Sequence, residues 1–523
     1  MKKILALALA LVMMLSAASA LAEIPGFWNP PSVNEGQYPF STEPIELTYW
    51  TTINAGAANF ISSYDENPAY VKMQEDTGID LVFQHAVVGM ERDNFNTMMA
   101  SGKLPDMILM PQTNYYEGGL KKMYDDGAII DLTPYLEEYA PQYLACVNKS
   151  KISQKQIMEG DNGEILGFYR MSHAGYFPYY RMNVRADWLE EFNMKEPVTI
   201  AEYEAYLEAV KTQKGVDPLF LTFTSAGSAN LLMGAFDIIE DYFVKDGKVG
   251  YFANTDEYRD FLRLMNEWYN KGYISKDFLS LTGTEVAARF DNGTLGMYPD
   301  SVDVVYARVK NLDIKATNLP YMRKEADSKL HSEGSSTPVD PGVACVTVIT
   351  SACKNVEAAV AYLNYAYTYE GGLIANWGIE GLTWNWGEDG LPKFTEYFTA
   401  NPDGMTTSNC SYALRCHLSS KYTYADNICG LTDEAQVANR SLWNNDPNVD
   451  SALRLPPINM TSEEITARTE KESEFVVYTN EMMIKFITGA ASLDNDWDKY
   501  VETVNGMGLI EAIAITQAAY DRY

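Results

Sequence analysis

Ile45-Glu46-Leu47-Thr48-Tyr49-Trp50, the stretch Asn67 to Thr77 closed by Gly78, and Ile79-Asp80-Leu81-Val82-Phe83 decide the fold between them. Ile45, Leu47 and Tyr49 share one face of a first strand, and Ile79, Leu81 and Phe83 share one face of a second. The segment between them reads as a helix with glycine at its end. A third strand, Met107 to Met110, follows the Pro105-Asp106 turn. Outward from this unit the alternation continues. Thr199-x-x-Glu202 is a capping box opening a helix through Val210, and Thr461-x-x-Glu464 opens another near the end. Tyr258, Phe261, Leu262, Met265, Trp268 and Tyr269 recur at helical spacing up to Gly272. Val356, Val360, Leu363 and Tyr367 repeat the pattern up to Gly371-Gly372. Strands separated by helices predict parallel α/β sheets covered by helices on both faces.

A chain of 523 residues is too long for one core, and two lobes are the natural division. Acidic residues number 71 against 40 basic ones, so the surface repels phosphate backbones and nucleic-acid binding is not expected. At the N-terminus, Lys2 and Lys3 precede an apolar run from Ile4 to Leu15, followed by Ser16-Ala17-Ala18-Ser19-Ala20. That run is too short for a permanent membrane span, and its Ala-x-Ala ending suits a signal peptidase, so residues 1–22 are read as an export signal. No later stretch has the length of a transmembrane helix. Residues 23–44, rich in Pro, Asn and Ser from Gly26 onward, read as an extended leader.

Catalytic signatures are missing. There is no G-x-S-x-G, P-loop, H-E-x-x-H or G-x-G-x-x-G, and His85, His173, His331 and His417 are not spaced to share a metal. Asp161-Asn162-Gly163-Glu164 lacks the ligand alternation of a calcium loop and reads as a turn. Pairs such as Glu137-Glu138 and Glu463-Glu464 point apart on helices rather than facing across a substrate. No enzyme, cofactor or metal is expected. Six cysteines lie beyond the signal; Cys410 with Cys416 or Cys429 is the plausible local pairing, Cys353 reads as a buried thiol, and oxidation is left open.

The aromatic content, 9 Trp, 36 Tyr and 20 Phe, is the positive signal. Sites for sugars set flat aromatic rings against planar amides, carboxylates and guanidinium groups. Most of these rings belong to the core, Trp188, Trp268 and Tyr269 among them. Others follow strands, where α/β sheets place ligands: Trp50 and Asn54 after the first strand, Thr113 and Asn114 after the third, Tyr298 and Asp300 after Leu295-Gly296-Met297. The densest group is Gly378-Ile379-Glu380-Gly381-Leu382-Thr383-Trp384-Asn385-Trp386, too polar and glycine-rich for a core element. For Trp384, stacking on a ligand and packing stand as equal readings. Glu380 and Trp386 join it as candidates.

Thr77-Gly78-Ile79, Ser101-Gly102-Lys103-Leu104-Pro105-Asp106, Val184-Arg185-Ala186-Asp187-Trp188-Leu189, Glu196-Pro197-Val198-Thr199, Glu370-Gly371-Gly372, Gly378-Ile379-Glu380-Gly381 and Gln517-Ala518-Ala519-Tyr520-Asp521-Arg522-Tyr523 carry a resemblance. In this order and spacing, from near residue 45 to the end, the chain resembles the large extracellular solute-binding proteins of carbohydrate ABC importers. The resemblance implies a periplasmic-binding-protein-like fold: two α/β lobes, a multi-strand hinge, a ligand cleft between them and domain closure. The lobes are expected at 45–174 plus 332–383 and at 175–331 plus 384–523. It also places Trp50, Asn54, Thr113 and Asn114 on first-lobe ligand loops, Tyr298 and Asp300 on a second-lobe loop, Trp384 on the returning crossover and Arg185 on the hinge side. The implied partners are an oligosaccharide and the transporter's membrane subunits, with the chain itself a monomer. A peptide or other non-sugar solute on the same fold, or a secreted glycan-active enzyme, are the rival readings. One departure stands out: Leu15-Ser16-Ala17-Ala18 has alanine where the family's lipid-anchored members carry a lipobox cysteine. Release, retention in another envelope, or an altered sequence each account for it.

Overall fold

The computed structural model describes residues 38–111, 115–148, 157, 163–172, 180–223, 230–301, 305, 309, 312–331, 345–417, 419–423, 449–450, 452–456, 458 and 460–523. The signal segment, most of the leader, Thr113, Asn114, Asp161, Asn162, His173 and Cys429 lie outside these residues. Contacts divide the rest into two compact units. Described residues up to 172 pack with 345–423, and 180–331 pack with 449–523.

In chain order the principal elements are β1 (Ile45–Thr51), α1 (Pro68–Thr77), β2 (Ile79–His85), α2 (Glu91–Ser101), β3 (Met107–Met110), β4 (Phe168–Tyr169) and β5 (Met171–Ser172). Next come β6 (Tyr180–Arg185), α3 (Ile200–Ala209), β7 (Asp217–Leu219), α4 (Asp256–Lys271), β8 (Leu295–Ser301) and β9 (Ala316–Asn318). Then follow β10 (Val346–Ile349), α5 (Val356–Tyr365), α6 (Tyr369–Trp377), β11 (Trp384–Trp386), β12 (Pro392–Phe394), α7 (Thr407–Ala413), β13 (Tyr422–Thr423), α8 (Ser462–Thr488) and α9 (Ile510–Asp521).

The first unit is built on a five-stranded sheet of order β2-β1-β3-β10-β4. β1 runs parallel to β2, with Ile45 opposite Ile79, Leu47 opposite Leu81 and Tyr49 opposite Phe83, so the alternating faces seen in the sequence coincide. β3 is parallel to β1, and β10 is antiparallel to both β3 and β4. Between β1 and β2, Asn67 caps α1 by accepting from the amides of Ala69 and Tyr70, and Gly78 closes it in the left-handed conformation, φ +69°. The second unit carries the sheet β9-β6-β8-β7, in which β8 is parallel to β7 and antiparallel to β6. Both expected capping boxes form, at Thr199/Glu202 and Thr461/Glu464, and a third at Thr282/Glu285 joins them. The stripe on α4 is buried from Tyr258 to Trp268.

Two expectations are corrected. Residues 384–423 were expected in the second lobe and belong to the first unit. Trp384, Phe394, Phe398, Cys410, Leu414, Cys416 and Tyr422 are all part of its core. The buried Asn67 side chain locks the segment down by donating to the carbonyls of Tyr412 and Arg415. Gly371-Gly372, expected to stop the helix begun at Val356, instead lie inside α6, which Thr368 caps. A Cβ at Gly371 would stand 2.0 Å from the Tyr365 carbonyl oxygen. Backbone cannot move aside as a side chain can, so Gly371→Ala should destabilise the unit by about 1–3 kcal/mol, read as a lower urea midpoint with unchanged slope.

No helix among the described residues is long and apolar enough to cross a membrane. Among the same residues no group of three or more His, Cys, Asp or Glu could hold a metal ion.

Candidate ligand-binding site

The order β2-β1-β3 means that the chain leaves β1 toward one flank and returns on the other. Ligands of open α/β sheets bind outside the carboxyl ends of the strands where such a reversal occurs. The segments after β1 and β3 leave the sheet at that point. After β1, Asn54 is half-buried and accepts from the Gly56 amide at 2.9 Å, which fixes the turn. A Cβ on Gly56 would collide with Oδ1 of Asn409 at 2.3 Å and approach Oδ1 of Asn54 at 3.2 Å. Glycine thus lets two planar amides converge, one from the loop and one from α7. Asn409 carries no periodicity or motif, and nothing in the sequence singles it out.

After β3, Tyr115 packs edge-on against Phe95 at 4.9 Å, Phe95 rests on Trp50 at 5.7 Å, and the exposed Arg92 lies over the Tyr115 ring at 4.8 Å. Burial raises the Tyr115 phenol above its ordinary pKa, so it stays a neutral donor and acceptor. Trp50 itself is only 4% exposed and lies within β1. It supports the column from below; Tyr115 and Arg92 are its outward end.

The glycine-rich group folds as a hairpin of β11 and β12. Gly378 adopts φ +84°, and a Cβ there would meet Thr383 Oγ1 at 2.5 Å and the Leu414 carbonyl at 2.9 Å. This tight start swings the chain so that Trp384 points into the core, 2% exposed, its Nε1–H donating to the Gly378 carbonyl at 3.3 Å. Trp386, two residues on, lies edge-on to it with centroids 5.0 Å apart and planes at 85°, and is 37% exposed. Glu380, bridged by backbone to Trp384, is exposed. Trp384 is therefore the support and Trp386 the exposed ring; it lies on a hairpin within the first unit rather than on a crossover.

In the second unit Tyr298 and Asp300 sit inside β8 rather than on a loop after it. Tyr298 is buried against Phe290 and donates to Asp300 Oδ2 at 3.2 Å. Asn183 knits this end of the sheet, its Nδ2 donating to the carbonyls of Arg181 and Asp300 and its Oδ1 accepting from Asn318. Asp300, half-buried at the carboxyl end of β8, remains a candidate. Arg185 does not join it. It lies four residues from Arg181, the register partner of Asp300, hence about 13 Å along the strand. Its guanidinium is spent on both oxygens of Asp187 and on the Trp188 ring, at 4.7 Å.

A model of the bacterial extracellular solute-binding protein family matches residues 69–382, about three fifths of the chain. The chain belongs to that family. Among curated relatives, Lipoprotein LipO of Bacillus subtilis is 26% identical over 252 residues, 46% of this chain and 48% of that protein. The chain thus matches about half the length of that relative. The fructooligosaccharide ABC transporter substrate-binding protein FusA of Streptococcus pneumoniae is 22% identical over 502 residues, 89% of each chain. The crystal structure of the alginate-binding protein AlgQ2 without calcium ion superposes with a TM-score of 0.74 at 19% identity, covering 93% of this chain and all of that one. That likeness shows the fold of this solute-binding protein to be the two-lobe α/β one, and an extracytoplasmic place follows from the family.

Cys410 and Cys416, offered as partners, are buried and not joined to each other, and Cys146, Cys345 and Cys353 are buried as well. Burial pushes Cys410 up to about 11 and Cys416 and Cys353 up to about 12, so these thiols stay protonated and poorly nucleophilic.

Proposed function

We propose that this solute-binding protein captures an oligosaccharide outside the cytoplasm and delivers it to the membrane subunits of an ABC importer. The observation that carries this reading is Trp386, an exposed indole held by a buried one, with the planar amides of Asn54 and Asn409 on the same unit. An aromatic face takes the apolar C–H face of a sugar ring, and amides take its hydroxyls. FusA and AlgQ2, a fructooligosaccharide-binding and an alginate-binding protein, support a carbohydrate over a peptide.

The ligand is returned intact, as the family is one of binding proteins. Residues 1–22 act as the export signal, tested by N-terminal sequencing of the exported protein. The chain acts as a monomer, tested by light scattering on the purified protein.

The experiment is a thermal-shift panel of fructooligosaccharides, alginate oligomers and other plant and microbial glycans, followed by chromatography of the recovered ligand. A ligand at a hundred times its dissociation constant stabilises the protein by about 2.7 kcal/mol. At least one oligosaccharide should raise the melting temperature and be recovered at its original length. A panel in which only peptides shift the protein, or in which the sugar comes back shortened, overturns the reading.

A further inference from the structure

We propose that Arg170, together with the Nε2–H of His417, forms an anion-recognition site, and that the captured oligosaccharide carries a carboxylate. This rests on the sugar-capture reading and narrows it to acidic sugars.

Arg170 follows β4, which is antiparallel to β10 and therefore runs with β1, β2 and β3. Its side chain is thus at the same carboxyl edge of the sheet as Asn54 and Tyr115. It is half-buried, and its described side-chain partner is the Cys345 thiol. Burial raises that thiol, so it remains neutral and leaves the guanidinium charge uncompensated. No carboxylate pairs with Arg170 among the described residues.

Its neighbours add positive charge. Met171 donates to the Lys421 carbonyl at 2.8 Å, which brings Lys421 alongside Arg170. The Lys421 ammonium is buried and held by backbone carbonyls alone, of Ala375, Cys416 and His417. Arg415 lies beneath, bonded to the Asn376 carbonyl at 2.7 Å and to Ser411. Arginine can only donate, so its Nη2 contact at 3.3 Å makes His417 Nδ1 an acceptor and leaves the imidazole proton on Nε2. That N–H has no acceptor among the described residues. Burial and the same three cations hold His417 well below its usual pKa, and burial with the two arginines does so for Lys421.

A chain with 71 acidic residues could have placed a carboxylate against Arg170, and among the described residues it has not. The surface negative charge is no obstacle. It is screened beyond roughly 8–10 Å in physiological salt, whereas a bound anion would be in direct contact. A guanidinium offers a carboxylate two parallel hydrogen bonds, which an ammonium or amide does not.

The test is calorimetry on the mature protein with galacturonate and alginate trimers and with their carboxyl-reduced, neutral counterparts, at low and high salt. The wild type should prefer the acidic form of a trimer at least tenfold, with the preference shrinking as salt rises. Arg170→Gln should abolish that preference, the acidic trimer losing at least tenfold more affinity than its neutral counterpart; Arg170→Lys should keep part of it. With like charge relieved, the unliganded Arg170→Gln protein should melt no lower than wild type, which separates a ligand role from a structural one. An acid preference that survives Arg170→Gln, or equal binding of acidic and neutral trimers, overturns the inference while leaving sugar capture intact. Failure of every carbohydrate, neutral or acidic, overturns the capture reading itself.

Discussion

Trp384→Ala is expected to lower stability by about 3–5 kcal/mol, and Trp386→Ala to leave stability almost untouched while weakening ligand binding at least tenfold. The two rings are neighbours in one three-residue strand, yet the hairpin assigns them opposite roles. Removing Trp384 empties a core site that also contains Trp377, Phe394 and Phe398, and orphans the Gly378 carbonyl where the loop turns tightly. Removing Trp386 exposes the edge of an indole that is otherwise packed. Denaturant unfolding and calorimetry on both variants check this. If Trp384→Ala melts like wild type, or Trp386→Ala binds like wild type, the division of labour is wrong.

That division marks where sequence reading stops. Period-two alternation in Ile45–Tyr49 and Ile79–Phe83, with Asn67 and Gly78 at the ends of the helix between, carries enough local information to give the first parallel pair and its register. Capping boxes are equally local, and those at Thr199 and Thr461 form as expected. Which unit owns residues 384–423 is a long-range matter. It is decided by the Asn67 side chain reaching Tyr412 and Arg415, some 345 residues away in sequence, and no spacing rule carries that information.

The site residues divide on the same line. A tryptophan after a strand can face solvent or core depending on where the strand ends; β1 continues through Thr51, so Trp50 turns inward. Arg185 looked available because its partner Asp187 is only two positions on, and the sequence does not show the guanidinium folding back. Asn409 and Arg170 are invisible for the opposite reason. Each is an ordinary polar residue until Gly56 admits one and the absence of a nearby acid among the described residues isolates the other. The glycine-rich stretch was legible as a non-core loop, and the structure adds which of its two indoles is exposed.

Lowering the pH from 7.5 to 5 should destabilise the unliganded protein, and His417 should carry much of the loss. Burial, reinforced by Arg415, Arg170 and Lys421, holds this ring neutral in the folded state. An unfolded histidine takes up a proton near pH 6.5, so between that value and the folded one the unfolded chain binds more protons. Stability is then fully present above about 6.5 and falls as the pH drops below it, by about 1.4 kcal/mol per pH unit for one such group. His85 adds to the slope in the same direction. Burial lowers it most, against opposing contributions from the Thr51 carbonyl and Asp65, and its Nε2 accepts from the Tyr64 amide. Carboxylates with lowered pKa, such as Glu202 and Asp126, lose their contribution only further down, as the pH falls below the ordinary carboxylate range. His417→Gln keeps an acceptor for Arg415 without a titrating ring. Chemical denaturation at half-unit pH steps should show a clearly shallower slope for this variant between pH 6.5 and 5. An identical slope would mean that His417 is already charged in the folded protein.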